Sequence, residues 1–469
     1  MPRSHIFPRL GSLVLLCTTL LAACADEQPS GPMTVAATRP ALQLTQPTAR
    51  PDRYLVSFKG TEPATFAAQV QALGGTIERR SPLVKLATVS GIGASGSTAL
   101  QQLAGVEFIA QDLDAQFILP PSQVSQRLTS TAIGANGTDQ SGAFFYPVYQ
   151  WNIRQVAANT AWGATPGGAG QLIGILDTGI DPDHSDLAGR VDLNLITSFV
   201  SAPLFSGDLD GIDYNFHGTA TAGYITTNGF GVASVAPDAR LCSAKTLNVL
   251  GSGSFGDLIS AINWAAEKGA DVINMSSGGY IDRNLPGADN LIALVQRSVD
   301  FATRKGAVLV ASAGNNNINL DTDPANFTFV PGQLKNIISV GATAPYNQTN
   351  FDDRASYSNY GGRTGVDLFA PGGDFTAGNI LDLNLTVCSQ YQLTLPFACG
   401  PFDYVFASGT SESAPHVAAA AAVVASRNPA AATPARITNC LLKGTDVIGS
   451  RSTFGAGRLN VAKAAAICP

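Results

Sequence analysis

The sequence predicts an α/β protein with a doubly wound, mainly parallel sheet carrying helices on both faces, preceded by a small α+β unit. Two observations beyond Trp151 lead to this reading. Short, almost continuously apolar runs recur at residues 171–176, 241–247, 271–275, 307–311 and 336–340. Runs of that length without alternation suit strands buried on both faces of a parallel sheet. Segments of helical spacing lie between several of them, as at 257–268 and 290–305, and such alternation of strand and helix is the pattern of parallel crossovers. Composition agrees: 45% of the 469 residues are apolar and only 13% are charged, which suits a large buried core.

Taken from its start, the chain opens with a targeting segment. Arg3 and Arg9 precede an apolar run over residues 10–21, too short to remain as a membrane span. It ends Leu21-Ala22-Ala23-Cys24, which resembles a bacterial lipobox, whose cysteine is lipidated and becomes the mature N-terminus. Ala23-Cys24-Ala25 also fits the small-x-small pattern of ordinary signal cleavage. Either way residues 1–24 predict export, with membrane attachment only through a lipid on Cys24. Residues 25–50, rich in Pro, Thr, Ala and Gln, read as a flexible tether.

Residues 51–119 form the compact α+β unit. A strand is expected at 54–58, a helix at 64–73, two short strands within 77–89, a helix at 98–103 and a last strand at 106–118. Residues 120–146 are rich in Ser, Thr, Gly and Gln and predict an exposed linker open to proteolysis. The larger unit then occupies 147–469.

Export permits disulfides. Besides Cys17 and Cys24 there are five cysteines. Spacing offers the pairs Cys388 with Cys399 and Cys440 with Cys468, without proving either. Cys242 lies in an apolar strand and is expected to be a buried free thiol. A net charge of −6 without a basic cluster argues against a nucleic-acid partner.

In doubly wound sheets, functional groups gather beyond the carboxyl ends of the strands. Here those ends carry Asp177-Thr178-Gly179, Ser276-Ser277-Gly278-Gly279 and Ala313-Gly314-Asn315-Asn316. A further stretch, Gly409-Thr410-Ser411-Glu412-Ser413-Ala414-Pro415-His416, leads into an alanine-rich buried helix. Pro415 is expected early enough in it for the missing N–H to cost nothing. A serine at that helix start has free backbone N–H groups and the positive end of the helix dipole beside it, which suit an oxyanion. Ser411 is then a nucleophile, or alternatively part of a capping cluster. A serine nucleophile needs a base. Of four histidines, His5 lies in the signal, His416 inside the apolar helix and His184 in a turn. His217, opening His217-Gly218-Thr219, is the strongest candidate.

Asp177-Thr178-Gly179, His217-Gly218-Thr219 and Gly409-Thr410-Ser411, in that order, resemble the three signatures of the subtilisin-like serine proteases, the subtilases. No G-x-S-x-G elbow is present. The resemblance covers residues 150–469 and includes Asp367-Leu368-Phe369-Ala370-Pro371-Gly372 and Gly455-Ala456-Gly457-Arg458-Leu459-Asn460. It implies a subtilisin-like fold and peptide-bond hydrolysis without a cofactor for the chemistry. Ser411 would attack, His217 would serve as base and acid, Asp177 would orient it, and Asn315 would bind the oxyanion. Ser276, Ser277 and Gly278, with Gly251 and Gly253, would pair with an extended protein or peptide substrate. Residues 51–119 resemble the subtilase propeptide, an intramolecular chaperone and inhibitor. The expected enzyme is a monomer. Structural calcium, which many subtilases carry, is a possibility for the acidic loops at 208–213, 321–323 and 352–353.

Three positions depart from the family pattern. Phe216 stands where glycine usually precedes the histidine, Ala220 where a second histidine often follows, and Glu412 where methionine usually follows the serine. Two rival readings are a catalytically silent secreted binding protein on the same fold and a serine-carboxyl peptidase of sedolisin type. The latter would use a glutamate base, against which His217-Gly218-Thr219 argues.

Overall fold

A computed structural model describes residues 47–118, 126–130, 137–322 and 326–468. The signal, Cys24 and most of the tether lie outside the described residues. The strands of the main sheet run, in spatial order, Leu368–Pro371, Ile337–Thr343, Val308–Ser312, Val272–Met275, Leu172–Asp177, Arg240–Lys245 and Val191–Ser198. Every neighbouring pair is parallel. From the strand Leu172–Asp177 the chain winds first to one side and then to the other, so Asp177 stands at the point where strand order reverses. Such a point is where doubly wound sheets open a crevice.

The helix Thr410–Arg427 fills the core on one face. Its alanines 418–422 are fully buried, and their small side chains bring the helix axis close to Ile173, Ile175, Val310 and Ile338. The helices Phe255–Glu267 and Ala288–Arg304 cover the other face. Among the described residues, no helix is long and apolar enough to cross a membrane.

The smaller layer follows the expected order of strand, helix, two strands, helix and strand. Its strands are Thr48–Phe58, Thr76–Ser81, Leu86–Ser90 and Val106–Gln116, with helices Phe66–Ala72 and Ala94–Gln101. Period-two alternation gives its first strand two buried faces. Tyr54, Val56 and Phe58 pack on the layer's own helices, whereas Leu55 faces the cluster around Phe255 and Leu291. The layer is therefore seated on the outer helices of the main sheet.

At that junction Arg53 is almost fully buried. It is bound to Asp112 of its own layer, to Glu78 at 2.8 Å, to Asp257 of the covering helix at 3.0 Å and to Ser254 at 2.8 Å. Asp112 also accepts from the N–H of Gly256 at 2.9 Å. Burial pushes the Asp112 carboxyl up to about 6 in spite of the Arg53 charge. Arg53→Ala removes the cation shared by these carboxylates. It is expected to destabilise the chain by about 3–5 kcal/mol, as breaking a buried pair does, read by urea unfolding of the full-length chain.

Two expectations are corrected here. The stretch 120–146 is not one exposed linker. Arg127–Thr129 form a strand antiparallel to Asp403–Ala407, with Thr129 opposite Asp403, and Phe145 and Tyr146 are buried in the main core. Pro415 is the sixth residue of its helix, beyond the first turn. Its missing N–H leaves the Ser411 carbonyl without a helical donor, and Ser276 Oγ donates to that carbonyl instead at 2.8 Å. Both disulfides are formed, Cys388–Cys399 and Cys440–Cys468. Cys242 is buried and free, its thiol pushed up to about 12 by burial.

Candidate active site

Asp177 ends its strand almost fully buried, and Thr178 N donates to its Oδ1 at 2.7 Å. His217 is the first residue of the helix His217–Ile225, and its Nδ1–H donates to the same Oδ1 at 2.8 Å. The glycines of both tripeptides are demanded by close approach. A Cβ at Gly218 would collide with the Gly179 carbonyl oxygen, and one at Gly179, whose φ is +113°, would meet the Ile212 backbone at 2.6 Å. Burial opposes an imidazolium at His217. The Asp177 carboxylate, helped by Glu412 and Asp213, more than offsets it and holds the pKa above the ordinary histidine value.

Asp213 ties the two signatures together. Its Oδ1 accepts from Thr178 Oγ1 at 2.8 Å and from the N–H groups of Asn215 and Phe216 at 3.0 Å each. Its Oδ2 accepts from Thr219 N and Oγ1 at 2.8 and 2.7 Å. The carboxylate thus satisfies orphan donors at the helix start and suits the dipole there. It also holds Phe216 at φ +106°, a left-handed conformation that costs a non-glycine residue on the order of 1–3 kcal/mol. The Phe216 ring compensates by packing on Cys388, Leu395, Cys399 and Val405. Lys245, fully buried, donates from Nζ to Thr178 O at 2.6 Å and Ile212 O at 3.0 Å, fixing the turn after Asp177 from behind.

Ser411 is the second residue of its helix. Its hydroxyl donates to the Ser276 carbonyl at 2.7 Å, while Ser276 Oγ returns a bond to the Ser411 carbonyl. Asn315 Oδ1 accepts from Thr410 N and Oγ1 at 2.9 and 2.8 Å. That pins the side chain by its oxygen and leaves Nδ2 as a donor beside the Gly409 turn. The predicted substrate-pairing edge is occupied by the small layer. Ala115 and Gln116 lie antiparallel to Gly253 and Ser252, and Phe117 N and Ile118 N donate to Gly251 O at 3.1 and 3.2 Å. Ser276 and Ser277 are buried, Ser276 being engaged with Ser411; Gly278 is partly exposed.

Among the described residues, the other two histidines are bound into the fold. His416 is bound to Asn152 at 2.9 Å and to the Glu412 carbonyl at 2.7 Å, and burial pushes it down to about 4. His184 donates from Nε2 to Asp403 O at 3.0 Å. In the acidic loops, Asp208 accepts from Leu204 N and Val249 N, Asp321 from Thr364 N, and Asp352 from Gln155 and Arg458. Calcium at these carboxylates would have to replace protein donors. Among the described residues, no group of three or more His, Cys, Asp or Glu is arranged to hold a metal.

Sequence reasoning missed Asp213, Lys245 and the grip of Ser276 on Ser411. Asp213 stands four residues before His217, and Lys245 is the lone charge within the apolar run 241–247. Those were the available signals.

A doubly wound sheet thus carries an Asp–His pair at its switch point and a serine at a buried helix start, in the chain order Asp, His, Ser. Residues 168–457 match the subtilase family, and the chain belongs to it. It is 34% identical to the thermophilic serine proteinase of Bacillus sp. (strain AK1) over 320 residues, 67% of each chain. It is 33% identical to subtilisin Savinase of Lederbergia lenta over 66% of this chain and 96% of that one. The fold matches the epidermin leader peptide processing serine protease of Staphylococcus aureus with TM-score 0.70 at 22% identity, over 90% of this chain and 99% of that one. Fervidolysin of Fervidobacterium pennivorans matches at TM-score 0.69 and 21% identity, over 89% and 61%. The chain is a subtilisin-like serine protease, and chemistry of this family needs no cofactor.

Proposed function

We propose that the chain is the precursor of an exported serine endopeptidase, with Ser411 as nucleophile, His217 as general base and acid, and Asp177 as the group that orients it. The observation that carries this is the 2.8 Å bond from His217 Nδ1 to Asp177, which leaves Nε2 as the basic nitrogen. The Ser411 hydroxyl rests on the Ser276 carbonyl, and this reading requires it to turn to His217 before the attack. The proton passes to Nε2 as Oγ attacks the peptide carbonyl, and His217 then returns it to the leaving amine. Ser411 N–H and Asn315 Nδ2 bind the oxyanion. Asn315→Ala is expected to lower kcat by about 10²–10³-fold with KM little changed, read on a chromogenic peptide. Labelling of the matured chain by a fluorophosphonate tests the assignment as a whole. Absence of labelling, beside a labelled subtilisin control, would favour the silent binding protein.

Residues 51–119 act in this reading as propeptide and inhibitor. Support comes from the 114–118 segment, which lies on Gly251, Ser252 and Gly253 where an extended substrate would add as a strand. Gly251 and Gly253 are then substrate-pairing residues, whereas Ser276 and Ser277 act by holding Ser411. We place the maturation cut ahead of Arg127, because the strand Arg127–Thr129 pairs with Asp403–Ala407, the strand that leads into the Ser411 helix. Its substrates are proteins or peptides, and it acts as a monomer. A lipid on Cys24 would tether the precursor on the propeptide side of the cut, so maturation frees the enzyme. N-terminal sequencing of the released form tests both points.

A further inference from the structure

Glu412 follows the nucleophile directly, yet its side chain is almost fully buried. Its Oε2 has no hydrogen-bond partner. That oxygen faces the Gly409 turn. A Cβ added at Gly409 would lie 2.6 Å from Glu412 Oε2 and 3.4 Å from Asn315 Nδ2, so the carboxyl sits on the same small turn as the oxyanion donors. Three titratable groups act on the carboxyl: His217 and Tyr224 on the helix His217–Ile225 and Asp177 on its strand; His416, on the same helix as Glu412, bonds the Glu412 backbone carbonyl. Tyr224 and His416 stay neutral, the first pushed up and the second pushed down by burial. The ionisable partners of Glu412 are therefore the catalytic pair itself.

We propose that Glu412 is a positioning residue that sets the charge of the catalytic pair and restrains turnover. Ionised, it stabilises the protonated form of His217, so the base becomes free only at higher pH. The same charge opposes the negative oxygen that forms beside Ser411 N–H and Asn315 Nδ2. Both effects act in one direction: an uncharged side chain at 412 works from lower pH and turns over faster. Burial pushes the Glu412 carboxyl up to about 7, against the opposing pull of His217. The two charges are therefore coupled, the ionised form of each favouring that of the other.

The inference rests on the catalytic roles given above, and its test separates the two. Full-length wild type, Glu412→Gln and Glu412→Asp are expressed and allowed to mature. Fluorophosphonate labelling rates and kcat and KM on a chromogenic peptide are then followed from pH 5 to 10. Glu412→Gln is expected to move the acid limb down by about half to one pH unit and raise plateau kcat about three- to tenfold, with KM within about twofold. Glu412→Asp keeps the charge and should keep the wild-type limb. Superimposed limbs for wild type and Gln, or an Asp limb that moves with Gln, overturn the proposal while leaving Ser411 as nucleophile. No labelling of any of the chains overturns the catalytic reading and this inference together. If Glu412→Gln does not mature, Glu412→Met, uncharged and of similar length, is read the same way.

Discussion

Ser411→Ala is expected to lower peptide hydrolysis by about a million-fold and to leave the precursor uncleaved. Removing the hydroxyl takes away the atom that attacks, and His217 and Asp177 then have no proton to move. What remains is the oxyanion pocket acting on water, which accounts for the residual rate. The fold should be unaffected. The lost bond is one hydroxyl to the Ser276 carbonyl, and the return bond from Ser276 Oγ to the Ser411 carbonyl persists. The variant therefore separates chemistry from stability, and its unfolding midpoint should match an unprocessed wild-type chain. Its second readout is maturation. With self-cleavage abolished, residues 51–119 stay joined to the catalytic part, and gel mobility with N-terminal sequencing reports it. Processing at the wild-type rate would show that another protease makes the cut.

Asp177→Asn is expected to lower kcat by about 10⁴-fold near neutral pH while KM changes little. Asp177 Oδ1 accepts from both the Thr178 N–H and the His217 Nδ1–H. An asparagine oxygen in that place keeps both bonds without the charge, whereas the flipped amide turns its NH2 toward both donors. In the flipped case the donors oppose each other unless His217 moves its proton to Nε2, the nitrogen that must stay free as base. The substituted side chain also removes the carboxylate that offsets burial of the imidazolium, so the His217 pKa falls. A lower acid limb with a much lower plateau is the expected signature, measured as kcat against pH. A plateau within tenfold of wild type would show that orientation of His217 does not depend on Asp177.

Much of the site could be read from the sequence because its chemistry is written in contiguous tripeptides. Asp177 and His217 stand within two residues of Gly179 and Gly218, which the chain needs for close approach, so the local spelling carries the geometry there. Asn315 follows Gly314 at a strand end for the same reason. Asp213 was visible only as one of several acids in a loop. Nothing local says that its carboxylate reaches Thr178, Phe216 and Thr219 at once. The strand Arg127–Thr129 was hidden in a polar stretch, because three residues have too little pattern to announce a strand. It is made by its partners: Arg127 and Thr129 both bond Asp403, and Leu128 packs inward against the main core.

The sequence by itself determined the sheet, the order Asp, His, Ser, and the presence of a second small layer. These follow from hydrophobic periodicity and from residue types whose chemistry has few alternatives. The surroundings of Ser411 were decided only in three dimensions. Pro415 frees the Ser411 carbonyl, Ser276 takes it up, and Glu412 turns its carboxyl inward beside Asn315 and the catalytic pair. Whether a carboxylate next to a serine is solvated or buried depends on what packs over it. Here the helix His217–Ile225 and the Gly409 turn exclude water from it, and that exclusion makes Glu412 an electrostatic neighbour of His217.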